Sequence, residues 1–264
     1  VKLSDYAYNK YSQFGEDGII EKIFSILGTK SRVCVEFGAW DGFYLSNTAN
    51  LWTNGWHGIL IESDPAKYRE LVAKTASYDC HCILGRVSPS GDNTIEAILH
   101  REGVTEQIDL LSIDIDGDDY HILASLTSLR PRVIVCEFNP TIPAEMDLVP
   151  TVGNYFGCSA SALIRLAETK DYALVSITDT NCFFVSIEDA VAFTEYETSL
   201  DALKITKYLN YLMSGYDGKY IVSREPIYGF SKPSDQRFSG KYVAIPRHGM
   251  IHRLKDWFRI WRRS

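Results

Sequence analysis

Residues 33–42, VCVEFGAWDG, restrict the fold of this chain more than any other stretch. Val33, Val35 and Phe37 are apolar and strand-favouring, and they run straight into two glycines and two acids. The pattern is a short buried strand that ends in a tight turn. Gly38 and Gly42 there let the backbone approach a ligand with no Cβ in the way. About twenty residues on, a second apolar strand, GILIE, ends in Glu62. A glycine turn after a first strand, with an acid closing the second, is the layout of a nucleotide-binding α/β half. Its second carboxylate accepts hydrogen bonds from both ribose hydroxyls.

The turn is not the dinucleotide fingerprint. G-x-G-x-x-G requires three glycines where this chain has Gly38, Ala39, Trp40, Asp41 and Gly42. Glu36 and Asp41 around the turn repel a pyrophosphate and tolerate a cationic cofactor. E-x-G-x-x-D-G with an acid at the end of the next strand resembles the S-adenosylmethionine site of Rossmann-like methyltransferases, whose cofactor carries a positive sulfonium and amino group. An NAD-linked oxidoreductase is the competing enzyme reading. A binding module that keeps the fold without the chemistry is the third.

Length and composition agree with an enzyme of this size. The 264 residues suit one α/β domain with additions, and 45% apolar content provides a sizeable core. The net charge of −7 hides an asymmetry, because the stretch from Arg247 onward is basic and the rest is acidic. An acidic body argues against nucleic-acid binding. Cys34 and Cys136 lie in apolar runs, where cysteine acts as a small hydrophobe. Cys80-His81-Cys82 has no second pair at zinc-like spacing, so packing is its expected role. No leader or spanning segment is evident, and the expected location is cytoplasmic.

Along the chain, Ser12 and Gln13 are expected to cap a helix whose apolar face is Ile19, Ile20, Ile23, Ile26 and Leu27. FYLSNTANLW reads as a helix with Ser46 and Asn47 near its start. Strand two covers 57–62, and Pro65 opens a helix through about Ala76. CHCIL is strand three, Asn93–Arg101 a short helix, and Leu110, Leu111, Ile113 and Ile115 mark strand four. Asp114 and Asp116 share a face if that strand persists. Asp118 and Asp119 fall at a helix start, and RPRVIVCEFNP is strand five. A pocket-building loop covers 141–158, a helix 159–169, and YALVSI and CFFVS form a closing pair. Residues 187–213 read as helical, and 214–247 suggest no architecture. Ile251, Leu254, Trp257, Phe258 and Trp261 form one side of a basic amphipathic tail suited to an anionic membrane surface or to packing on protein. The expected fold is a Rossmann-like, seven-stranded, mostly parallel sheet with helices on both faces, an antiparallel last strand and a C-terminal helical extension. The expected divisions are 1–30 (lid and helix), 31–190 (core) and 191–264 (extension).

SQFGED, VEFGAWDG, LLSIDIDGDDY and VIVCEFNP together resemble FkbM-type methyltransferases over roughly residues 12 to 186. The resemblance implies S-adenosylmethionine-dependent O-methylation, with sugar hydroxyls of a polysaccharide, lipid-linked glycan or glycosylated metabolite as acceptors. It implies cofactor contacts from Gln13, Glu36, Gly38, Asp41, Gly42, Ser46, Asn47, Glu62, Ser63, Val87, Ser88 and Asp114. An alcohol acceptor must lose a proton, for which Asp116, His121 and Glu137 are the candidate groups. The alternative device is Mg²⁺ or Mn²⁺ held by oxygen atoms of Asp114, Asp116, Glu137 and Asn139. Asn139-Pro140 lacks the rest of the N-P-P-[YF] motif of amino-methylating enzymes.

Overall fold

A computed structural model describes residues 1–216, 218 and 220–222. After a 3-10 turn at Leu3–Tyr6, the elements are α1 (Glu16–Leu27), β1 (Val33–Phe37), α2 (Ala49–Trp52), β2 (His57–Glu62), α3 (Pro65–Thr75), β3 (Cys80–Leu84), α4 (Ile95–Arg101), β4 (Leu110–Ile113), α5 (Asp119–Ser125), β5 (Val133–Glu137), α6 (Ala160–Glu168), β6 (Tyr172–Ile177), β7 (Asn181–Ser186) and α7 (Leu200–Leu203). Local chemistry sets several boundaries. The Asp64 carboxylate accepts the N–H groups of Ala66 and Lys67 at 2.7 and 2.9 Å, with Pro65 opening α3. Ser159 Oγ accepts from Ala162 N–H and starts α6.

The seven strands form one sheet in the order β3-β2-β1-β4-β5-β7-β6. All neighbours are parallel except β5·β7 and β6·β7, which are antiparallel. This is the strand order of the Rossmann-like methyltransferase fold. β1 is buried along its length and lies between β2 and β4, so its even and odd residues feed opposite cores. Val33, Val35 and Phe37 pack with Ile95, Ile98, Ile122 and Leu163 of α4, α5 and α6. Cys34 packs on the other face with Ile19, Ile20 and Ile23 of α1, Trp52 of α2 and Leu71 of α3. Each fully buried Ile or Leu contributes about 1.5–3 kcal/mol relative to exposure. All six cysteines are free thiols, and Cys34 and Cys136 are buried as expected.

At the amino ends of the strands, buried Arg132 joins Asp109, Asp189 and the carbonyls of Leu27 and Gly28. Asp109 also accepts the N–H groups of Lys30, Ser31 and Arg32. The chain's first residues close against a distant segment. Lys2 Nζ donates to Ala202 O at 2.6 Å, and Glu197 N–H donates to Val1 O at 2.9 Å. Residues 1–205 form one compact unit. The second begins at Thr206, and its described part contains the antiparallel hairpin of β8 (Leu212–Ser214) and β9 (Tyr220–Val222).

Several expectations need correction. Residues 187–213 are not a helical run: they hold a 3-10 segment at Asp189–Phe193, the single turn α7, and the start of β8. FYLSNTANLW is helical only over Ala49–Trp52, because Ser46 and Asn47 are tied to Glu36 instead. Ser12 Oγ accepts Asp17 N–H in the first turn of α1, as expected of a capping side chain, but the N-cap position itself is neither Ser12 nor Gln13. Gly15 takes that position in the left-handed region with φ 101°. Strand β4 stops at Ile113, and Asp116 turns into the left-handed region with φ 60°, so Asp114 and Asp116 do not share a strand face. The basic amphipathic tail lies outside the described residues.

Candidate active site

Strand order reverses between β1 and β4, and in open α/β sheets ligands bind beyond the carboxyl ends of the strands at such a point. A cavity of about 300 Å³ opens there. Phe37 and Gly38 line it from β1, Ser63 from β2, Gly85, Arg86 and Val87 from β3, and Ile115 to Asp118 from β4. Gly153, Asn154 and Tyr155 close it from the loop after β5.

The glycine turn is built for close approach. Gly38 has φ 73°, and a Cβ there would stand 2.7 Å from the Asp114 carbonyl oxygen, so the end of β1 lies directly against the end of β4. Trp40 N–H donates to Glu62 Oε2 at 2.8 Å, and Asp64 N–H donates to Glu62 Oε1 at 2.7 Å. Glu62 thus ties the end of β2 to the turn after β1. Asp41 accepts from Phe43 and Tyr44 N–H and pairs with Lys74 at 2.5 Å, which turns it toward α3. Gly42 packs against Leu71 and Thr75 of that helix.

A row of polar side chains crosses the carboxyl end of the sheet. Glu36 is 5% exposed and accepts from Ser46 Oγ, Asn47 N–H and Thr48 Oγ1 at 2.6–2.8 Å. Burial pushes its carboxyl up despite those donors. Asn47 Nδ2 reaches on to Ser112 Oγ in β4. Next come Asp114, whose carboxylate has no hydrogen-bond or ion-pair partner among the described residues, and Glu137, which accepts only Asp116 N–H at 3.3 Å. Burial first, and then their mutual repulsion with Asp119 and Asp116, raise both carboxyls well above the ordinary range. Asp119 is pushed up to about 6 by burial, even though Gly117 and Ile115 donate to it. Among the described residues, no lysine or arginine pairs with Glu36, Asp114, Asp119 or Glu137.

Of the residues expected to contact a cofactor, the cavity brings together Gly38, Ser63 and Val87. Glu62 and Asp114 adjoin it through the strand ends just described. Glu36, Ser46 and Asn47 form a buried brace behind the turn, and Asp41 and Gly42 face α3. Ser88 Oγ is turned to Ser90 O, and Gln13 is exposed. Among the expected proton acceptors, Asp116 lines the cavity and Glu137 stands at the acidic row. His121 is committed elsewhere: its Nε2 lies 2.8 Å from Pro150 O, where it must be the donor. The expected metal set does not fit. Asn139 Oδ1 accepts from Thr141 N–H and Oγ1, and the chain at Asp116 has left the β4 strand in a left-handed turn. Among the described residues, no group of three or more His, Cys, Asp or Glu is arranged to hold a metal ion.

The sequence left Arg86, Gly117, Asp118, Asn154 and Tyr155 unassigned as site residues. The loop that carries the last two is fastened to α5 and β5. Asp118 accepts Gly153 N–H at 2.7 Å, His121 holds Pro150 O, and Asn139 Nδ2 donates to Phe156 O. Tyr155 is nevertheless 87% exposed. A paired run of exposed aromatics in a loop after a strand, YF at 155–156, was the available signal.

No family model matches the chain, and no curated protein does. Solved structures with a similar fold include a TehB-like SAM-dependent methyltransferase from Corynebacterium glutamicum ATCC 13032 Kitasato, at 11% identity over 66% of this chain and 88% of that one, with TM-score 0.39. The glycopeptide N-methyltransferase MtfA complexed with sinefungin aligns at 11% identity over 68% and 90%, with TM-score 0.41. The CcbJ methyltransferase from Streptomyces caelestis aligns at 12% identity over 70% and 96%, with TM-score 0.42. Likeness this distant identifies no substrate.

Proposed function

We propose that the protein is an S-adenosylmethionine-dependent O-methyltransferase acting on a hydroxyl of a sugar or glycosylated acceptor. The observation that carries this reading is the unpaired acidic row beside a glycine-bounded cavity at the strand-order reversal. Such a row repels phosphates and suits a cofactor whose sulfonium and ammonium outweigh its single carboxylate, leaving it net positive. Gly38 and Asp114 would hold the methionine part, Ser63 and Glu62 the ribose, and Val87 the ring. The cofactor, when bound, supplies an activated methyl group.

The chain's own residues align the acceptor and receive its proton. We assign the base to Glu137 on its chemistry, although Asp116 and not Glu137 lines the cavity. Glu137 has one weak backbone donor, is crowded by Asp114, and is a stronger base than an ordinary carboxylate for that reason. The exposed Tyr155 and Phe156 provide apolar faces for a sugar ring beside the acids that bind its hydroxyls. Calorimetry on the full chain tests the cofactor: S-adenosylmethionine and its demethylated product should bind, and NAD should not. Binding of NAD alone would overturn the proposal. Mass spectrometry of candidate glycans incubated with enzyme and cofactor should then show one added CH₂.

A further inference from the structure

Among the described residues, the buried Asn181 Oδ1 has no hydrogen-bond partner; the residue is 3% exposed and starts β7. The other end of this amide is fixed by charge. Asn181 Nδ2 donates to Glu16 Oε1 at 3.4 Å, and that oxygen also accepts Thr178 Oγ1 at 2.7 Å. Glu16 Oε2 accepts Phe14 N–H at 2.7 Å. A carboxylate only accepts, so the amide nitrogen must face Glu16 and the oxygen must face away from it.

Asn181 stands opposite Glu137 in the β5–β7 ladder. Phe138 N–H donates to Thr180 O at 2.7 Å, which makes the neighbouring pair the hydrogen-bonded one. Glu137 and Asn181 are therefore a non-hydrogen-bonded pair, the kind whose side chains approach more closely, with Cα atoms about 4.5 Å apart. An ionised Glu137 offers the amide oxygen nothing. A protonated Glu137 offers it an O–H.

We propose that Asn181 is a positioning residue for Glu137, its Oδ1 accepting the Glu137 O–H once that carboxylate has taken the acceptor's proton. The proposal rests on the methyl-transfer reading only for the source of the proton. In balance, the acceptor O–H bond breaks and a Glu137 O–H bond forms; the electron pair left on the acceptor oxygen forms the O–CH₃ bond as the donor's S–CH₃ bond breaks, its pair staying on sulfur in a neutral thioether that leaves. Among the described residues, the charged groups that bear most on Glu137 are acidic: Asp114 beyond β4, Asp116 in the following turn and Asp119 on α5, with Glu16 of α1 behind the amide. The remaining titratable neighbours are the thiols of Cys136 and Cys158. Among these, the Asn181 oxygen is a neutral acceptor, and it favours the state of Glu137 that follows proton transfer. The SQFGED segment gains a role in this arrangement, because its Glu16 sets the amide's orientation.

The test is NMR on the ligand-free full chain, labelled in asparagine side-chain nitrogen and glutamate carboxyl carbon. The Asn181 side-chain amide signal should titrate with the same midpoint as the Glu137 carboxyl, above the ordinary carboxylate range. Glu137→Gln should abolish that titration. Asn181→Ala should lower the Glu137 midpoint and reduce kcat about tenfold with cofactor Kd unchanged. An amide signal that stays flat through the Glu137 midpoint, or that still moves in Glu137→Gln, would overturn the proposal. No methyl donor is present in the titration. Failure to bind S-adenosylmethionine would therefore sink the functional reading without flattening the amide signal.

Discussion

Gly38 and Glu137 bear the strongest demands of the site. At Gly38 both space and backbone exclude a side chain, since φ is 73° and the Asp114 carbonyl occupies the Cβ position. Gly38→Ala is expected to lower stability by about 1–3 kcal/mol in thermal melts. It should also weaken S-adenosylmethionine binding at least tenfold by calorimetry, as the strand end shifts; wild-type affinity would place the cofactor elsewhere. Glu137→Gln should cut kcat by about 10²–10⁴ while cofactor affinity holds, measured by single-turnover assays beside calorimetry. Gly38 and Glu62 were legible in the sequence because a strand running into a turn admits few geometries. Asp116 was harder to read: alternation holds only while the strand does, and β4 ends at Ile113. Glu36 looked like a cofactor contact because an acid at a strand end is ambiguous until its donors are known. Here Ser46, Asn47 and Thr48 supply them.

The informative element is the loop from 148 to 158. It owes its place to polar links, among them those from Asp118, His121 and Asn139, rather than to its own secondary structure. Gly117, with φ 152°, admits the loop backbone at a point where a Cβ would stand 2.9 Å from Asn154 O. Asp118→Ala removes the link to Gly153 and should speed amide hydrogen exchange across residues 150–156 several-fold, with little change in Tm. Exchange confined to its wild-type rate would show that the remaining contacts suffice. The strands and α3 were readable from periodicity, proline placement and caps. The 187–213 segment was not, because apolar spacing alone does not distinguish a helix from successive single turns packed on a sheet.

For the whole molecule, the buried acids set an unusual pH response. Glu36, Asp114, Asp119 and Glu137 all have folded values raised above the unfolded ones. The folded chain therefore holds more protons than the unfolded chain, and their contribution is full below the ordinary carboxylate range of about 4. It is lost as pH rises through Asp119 at about 6 and onward through Glu137 and Asp114. Glu96 acts in the opposite sense. Burial opposes its ionisation, but donors from Leu129, Thr127 and Ser128 hold it at about 2, so its contribution is lost as pH falls from about 4.5 toward that value. Melting temperature should peak near pH ~5 by calorimetry, and Glu96→Ala should lessen the acid-side decline, to which Asp41 and Asp64 also contribute. Affinity for a cationic cofactor should run the other way and weaken below about pH 6, as the acids that attract it become neutral. A Tm that climbs steadily from pH 5 to 8 would contradict the raised acids. The contact of Lys2 with Ala202 has a topological consequence. The first and last parts of the 1–205 unit meet in space, so a circular permutant that joins them by a short linker and opens new termini in the exposed 89–93 segment should keep the same strand order and ligand behaviour.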